Sequence, residues 1–123
     1  MTPAKKTDGA WLKIVLGVEI AMGPGKADLL DHIIATGSIA AAGRRMKMSY
    51  RRAWLLVDEM NHMFNSPVMT TAKGGKGGGG GAMLTPLGRD VLARYRNMQV
   101  ATNAAIAGDL KVLKNALAPK RRA

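Results

Sequence analysis

Ser38 to Asn61 reads S-I-A-A-A-G-R-R-M-K-M-S-Y-R-R-A-W-L-L-V-D-E-M-N, and the two serines divide it. Ser38 is placed as the N-cap of a helix from Ile39 to Met46, about two turns long, in which Ala42 and Gly43 permit close helix packing. Ser49 follows after only Lys47 and Met48 and opens a second helix, Tyr50 to Phe64. There Ala53, Val57, Met60 and Phe64 recur at helical spacing, Trp54 widens the apolar stripe as a core residue, and Leu55 falls towards the exposed side. Two helices joined by so short a turn have the shape of a helix-turn-helix, although the spacing alone is common in any helical core.

Downstream, Pro67 to Ala72 and Ala82 to Thr85 are β-like pieces around Lys73-Gly74-Gly75-Lys76-Gly77-Gly78-Gly79-Gly80-Gly81, which predicts a hairpin with a basic, glycine-rich tip. A low-complexity linker is the plainer alternative for the same composition. Gly75, Gly77 and Gly80 satisfy G-x-G-x-x-G trivially, but a dinucleotide site needs a helix directly after the run, and here Ala-Met-Leu-Thr follows. The phosphate loop of ATPases is excluded as well, because Lys76 precedes Gly77 rather than Ser or Thr.

Upstream, Trp11 to Val18 is rich in β-formers and reads as a first strand, closed by Gly23-Pro24-Gly25 as a turn. From Lys26 to Thr36, Leu29, Leu30, Ile33 and Ile34 share one helical face, Gly37 ends the helix, and His32 is expected to be solvated. At the other end, Thr85 as N-cap and Pro86 at the first helical position start a strong helix. Its stripe runs through Leu87, Val91, Tyr95 and Met98, then through Ile106, Leu110, Leu113 and Leu117, with Gly108 as a possible break. A small domain has little room to bury both stripes, so Val91, Tyr95, Met98, Ile106, Leu110, Leu113 and Leu117 are read as a homodimer contact; a helix folded back on its own domain is the alternative.

The chain has 123 residues, 47% of them hydrophobic, enough for one small core. Its 19 Lys and Arg against 8 Asp and Glu give a formal net charge of +11, so a densely anionic partner is the first expectation, with an anionic membrane surface or an acidic protein as alternatives. The charge is uneven. Residues 1–36 are balanced, whereas residues 37–96 carry ten basic side chains against Asp58, Glu59 and Asp90. The middle of the chain is therefore expected to meet the partner.

Cysteine is absent, which excludes disulfides, Cys-type zinc sites and a thiol nucleophile and suits a reducing cytoplasm. Lys13 and Glu19 interrupt the one segment that resembles a signal peptide, and no apolar run is long enough to span a bilayer. His32 and His62 lie on different helices without a metal-binding pattern, and no nucleophile, base and orienting group converge. Neither catalysis nor a metal or other cofactor is expected. The nine methionines read as pliable packing residues.

Thr36-Gly37-Ser38-Ile39, Ser49-Tyr50-Arg51-Arg52-Ala53-Trp54, Glu59-Met60-Asn61 and Gly74 to Thr85 together resemble the N-terminal DNA-binding domain of the ModE family of molybdenum-responsive transcriptional regulators. The resemblance covers about Trp11 to Met98. It implies an α+β fold, a winged helix-turn-helix related to that of LysR-type regulators, with the hairpin as the wing. The organisation expected is a DNA-binding domain at 11–98 and a helical, basic C-terminal extension at 99–123 carrying the dimerisation helix. The glycine run after Lys76 is one longer than the family pattern. Family members continue into a molybdate-binding region, whereas this chain has only a short helical tail after Met98, so the resemblance implies double-stranded DNA as partner and not molybdate.

In such a fold the N-terminal residues of the second helix meet base edges, which makes Ser49, Tyr50, Arg51 and Arg52 the candidates for DNA contact. Arg51 suits guanine O6 and N7, Arg52 and Tyr50 suit phosphates equally, and a solvated surface arginine is the alternative for Arg51. Lys73, Gly74, Gly75 and Lys76 suit a phosphate or minor-groove contact, and the helix start at Ser38 suits another phosphate. Arg44, Arg45 and Lys47 add attraction unless they are merely solvated.

Overall fold

A computed structural model describes residues 9–72 and 81–119. The described elements run β1 (Ile14–Gly17), β2 (Ile20–Met22), α1 (Pro24–Thr36), α2 (Ile39–Arg45), α3 (Tyr50–Met63), β3 (Met69–Thr71), β4 (Ala82–Leu84) and α4 (Pro86–Asn115). The fold is thus α+β, with four helices and two antiparallel hairpins, β1 with β2 and β3 with β4.

The first hairpin corrects the reading of Trp11 to Val18 as a lone strand followed by a turn. The chain reverses at Val18-Glu19, where Glu19 takes the left-handed conformation at φ 58°, and Ile20–Met22 returns along β1. Gly23-Pro24-Gly25 belongs to the helix instead: Gly23 is the N-cap and Pro24 the first helical residue, a position where the missing N–H costs nothing. Val15, Leu16 and Val18 on this hairpin stay exposed.

Helix α1 is the centre of the core. Ala27, Leu29, Leu30, His32 and Ile33 are all buried, because α2, β4 and α4 each pack against the helix. The expectation of a single apolar face therefore fails in two places. Ile34 is half-exposed, and His32, expected in solvent, is only 1% exposed with its Nδ1 lacking a hydrogen-bond partner. Burial holds the His32 imidazole below its ordinary pKa. Gly37 ends α1 at φ 69°, its N–H donating to the Ile33 carbonyl, as the sequence predicts.

Helix α4 is continuous from Pro86 to Asn115 and passes through Gly108 without a break. Its first half is locked to the domain. Gly88 lies so close to β3 that an added Cβ would stand 2.0 Å from the Val68 carbonyl oxygen, and Leu92 and Tyr95 are buried. The Tyr95 hydroxyl donates to the Leu12 carbonyl, and burial pushes its pKa up. Arg96 reaches α1, bonding Asp28 at 2.7 Å and Asp31 more closely still, and it also donates to Gln99. Burial opposes the Arg96 charge, but those carboxylates more than offset it and hold the guanidinium above its ordinary pKa. Further along, Ile106 and Leu110 are half-buried, whereas Val112, Leu113 and Leu117 are about two-thirds exposed.

Candidate nucleic-acid interface

Helices α2 and α3 meet across a glycine. A Cβ at Gly43 would lie 3.1 Å from the Ala53 Cβ, so the small residues read from the sequence do allow the two helices to touch. Ser38 and Ser49 cap as expected, their hydroxyls accepting the N–H of Ala41 and Arg52. Each such cap is worth about 0.5–2 kcal/mol.

The turn between the helices has a specific geometry. The Lys47 N–H donates to the Arg44 carbonyl and the Met48 N–H to the Gly43 carbonyl, the paired bonds of a Schellman motif. Its left-handed position, most often a glycine, is here Lys47 at φ 57°. Holding a side chain in that conformation costs free energy, and Lys47 is exposed there.

Helix α3 buries Ala53, Leu56, Val57 and Met60, so Leu56, not Trp54, completes the inward stripe. Trp54 is 37% exposed, contrary to its reading as core, because it lies on the outward side beside Tyr50, with ring centroids 6.2 Å apart and planes at 79°. The outward surface of the helix thus carries Tyr50, Arg51, Arg52, Trp54 and Leu55, all exposed.

The structure separates paired from unpaired basic residues. Arg96 is occupied by Asp28 and Asp31, Arg94 by Asp90 one turn away, and Lys26 pairs with Glu59 at 3.5 Å. Arg94 and Arg96 are therefore removed from the cationic surface that the sequence suggested. By contrast, Arg44, Arg45, Lys47, Arg51 and Arg52 are exposed and form no ion pair among the described residues. All five lie within nine residues spanning the end of α2, the turn and the start of α3.

The hairpin stem is tied to the ends of α1 and α3. Strands β3 and β4 pair Met69 with Leu84, Thr70 with Met83 and Thr71 with Ala82, as the sequence predicts, and the Ala82 N–H donates to the Gly37 carbonyl at the end of α1. Asn61, at the far end of α3, fixes the stem: its Oδ1 accepts the N–H of Val68 and Met69, and its Nδ2 donates to the Met69 carbonyl. The sequence had singled out Asn61 only as part of a motif, and the structure supplies its role as the tie between helix and hairpin. The stem ends at Ala72 and Gly81, so Lys73, Gly74, Gly75 and Lys76 lie outside the described residues.

Among the described residues no cluster of three His, Cys, Asp or Glu side chains is placed to hold a metal ion, and no helix is long and apolar enough to cross a membrane. Of the residues read as a dimer contact, Tyr95 is buried in the domain and Val91 packs against its core, while Met98, Leu113 and Leu117 are exposed.

A helix pair joined by a cationic turn, with a hairpin stem tied to the second helix, defines an α+β domain that presents a basic helix face to its surroundings. No family model matches the chain. Known proteins do. It is 49% identical to the molybdenum-pterin-binding protein MopB of Rhodobacter capsulatus over 74 residues, 60% of this chain and 27% of that protein. It is 42% identical to the molybdenum transport protein ModE of Herbaspirillum seropedicae over 71 residues, 58% of this chain and 26% of that one. The DNA-binding transcriptional dual regulator ModE of Escherichia coli K12 matches at 36% over 84 residues, 68% of this chain and 32% of the regulator. The chain is thus ModE-like, and it spans about a quarter to a third of the length of these relatives.

Proposed function

We propose that this chain is a sequence-specific, double-stranded DNA-binding transcriptional regulator built as a winged helix-turn-helix. Residues 11–98 form the DNA-binding unit, and within the basic extension 99–123 the distal part of α4 completes a dimerisation helix. The observation that carries this reading is the cluster of five exposed cations, Arg44, Arg45, Lys47, Arg51 and Arg52, that have no ion-pair partner among the described residues and gather around the start of one helix. A stripe of such charge is the electrostatic footprint of a phosphate backbone. The likeness to a regulator named as DNA-binding supports the same conclusion.

In this mechanism α3 enters the major groove. Arg51, near its N-terminus, donates a bidentate pair of hydrogen bonds to guanine, while Ser49, Tyr50 and Arg52 contact the walls of the groove. The helix start at Ser38 and the turn cations meet phosphates, and the hairpin, held by Asn61, carries Lys73, Gly74, Gly75 and Lys76 to the backbone or minor groove. The distal part of α4 and the residue Leu117 just beyond it pair two copies through Leu110, Leu113 and Leu117, with Met98 and Ile106 at the margin, so that two recognition helices face one site. Half-sites one helical turn apart are the geometric consequence.

A second reading, a protein-interaction module that pairs with a longer regulator without touching DNA, is favoured by the exposed leucines of α4. Titrating duplex DNA by fluorescence anisotropy at several salt concentrations separates the two. The regulator reading expects log affinity to fall linearly with log salt, with a slope of about 0.9 per phosphate neutralised. No binding at low salt would leave only the interaction module.

A further inference from the structure

The outward face of α3 is oddly apolar for a surface that is rimmed with charge. Tyr50 is 59% exposed, Leu55 53% and Trp54 37%, and the opposite side of the same helix already supplies the core through Ala53, Leu56, Val57 and Met60. These three side chains therefore form a ledge that the domain's own core does not cover. Two of them are set against each other, since Trp54 packs edge-on to Tyr50, which limits the freedom of the indole and keeps its apolar face in place. Arg51 and Leu55 are four residues apart and share one strip of the helix. On a rise of 1.5 Å per residue the two positions are about 6 Å apart along the axis, close to two base-pair steps of about 3.4 Å.

We infer that this exposed face reads thymine: Leu55 contacts the C5-methyl group of a thymine lying one or two base pairs from the base that Arg51 contacts. The inference rests on the DNA-binding reading and adds a chemical specificity to it. Charge complementarity selects the occupant. An apolar protein surface has no use for the unpaired cations Arg44, Arg45, Lys47, Arg51 and Arg52 around the ledge, whereas duplex DNA offers phosphates on both walls of the major groove and the thymine methyl as the apolar feature of its floor. RNA does not fit the same surface, because its major groove is too narrow for a helix and uracil has no such methyl.

Exchanging thymine for deoxyuridine removes the methyl and leaves every base-pairing hydrogen bond, so it isolates this contact. A duplex selected from a random pool by the wild-type protein is remade with each thymine singly replaced, and affinities are compared by anisotropy for the wild type and for Leu55→Ala, an exposed position whose truncation leaves the core intact. At one or two positions the wild type is expected to bind the deoxyuridine duplex about three- to fivefold more weakly, the worth of one buried methyl group. Leu55→Ala is expected to bind the two duplexes alike at those positions. Equal wild-type binding to every thymine and deoxyuridine duplex, or full discrimination retained in Leu55→Ala, overturns the inference while salt-dependent DNA binding leaves the regulator reading standing. Failure to select or bind any duplex at low salt overturns both.

Discussion

The two halves of α4 carry the same kind of apolar repeat and meet opposite fates. In the first half Gly88 is pressed against the Val68 carbonyl, Leu92 and Tyr95 are buried, and Arg96 is tied to Asp28 and Asp31. In the second half no residue is buried, Val112 and Leu113 are 66% exposed, and Leu117, just beyond the helix, is 70% exposed. Periodicity identifies the face of a helix that seeks cover. Whether cover exists depends on what else the chain brings to that face, and here α1 and the β3–β4 hairpin reach only the first half.

The two glycines of this helix are expected to respond to substitution in opposite directions. Gly88→Ala places a methyl group inside the van der Waals shell of backbone atoms that cannot rotate away. It is expected to lower the urea-unfolding free energy by about 3 kcal/mol. At Gly108 nothing lies within 4 Å of an added Cβ, so Gly108→Ala is expected to raise stability by about 0.5–1 kcal/mol through the reduced entropy of the unfolded chain. Equal effects in the two variants would mean that both halves are packed alike.

A smaller effect depends on pH and comes from α1, to which Arg96 ties the first half of α4. Burial, assisted by the nearby Arg45 charge, lowers the folded-state pKa of His32, and Asp28 and Asp31 counteract this only in part. Above the ordinary imidazole value of about 6.5 both states are neutral. As pH falls below it, the unfolded chain takes up a proton that the folded core refuses. Stability is therefore expected to decline below about pH 6.5 and to level off once pH passes the lowered folded-state pKa. In His32→Met, urea titrations from pH 7.5 to 4.5 are expected to lose this component of the slope. An unchanged slope would show that His32 does not titrate from the core.

Much of the architecture was legible because local chemistry decides it. Ser38, Ser49 and Thr85 cap α2, α3 and α4 where their positions suggested, Gly37 closes α1, and the β3–β4 stem falls in the two β-like pieces. What the sequence concealed depends on long-range cover. Strand β2 is three residues long and runs into a proline that reads equally well as a turn or as a helix start. His32 is buried because α1 has neighbours on several sides, which an amphipathic pattern cannot announce. Trp54 points outward because Leu56 already fills the inner stripe. The candidate site was legible in its residue types, whereas its geometry was not: only the structure reveals that Arg94 and Arg96 are spent on carboxylates, that Lys47 occupies the left-handed position of the turn, and that Asn61 ties the hairpin stem to α3.

The central claim is that the exposed start of α3 reads base sequence while the surrounding cations supply sequence-independent attraction. The most direct test is the ratio of affinities for a selected duplex and its scrambled counterpart, measured at fixed salt for the wild type and for Arg51→Ala. In Arg51→Ala the selected duplex is expected to lose about 1–3 kcal/mol of binding free energy while the scrambled duplex changes little, so the ratio collapses. A variant that binds both duplexes more weakly by the same factor, leaving the ratio intact, would place Arg51 on the phosphate backbone and contradict the account.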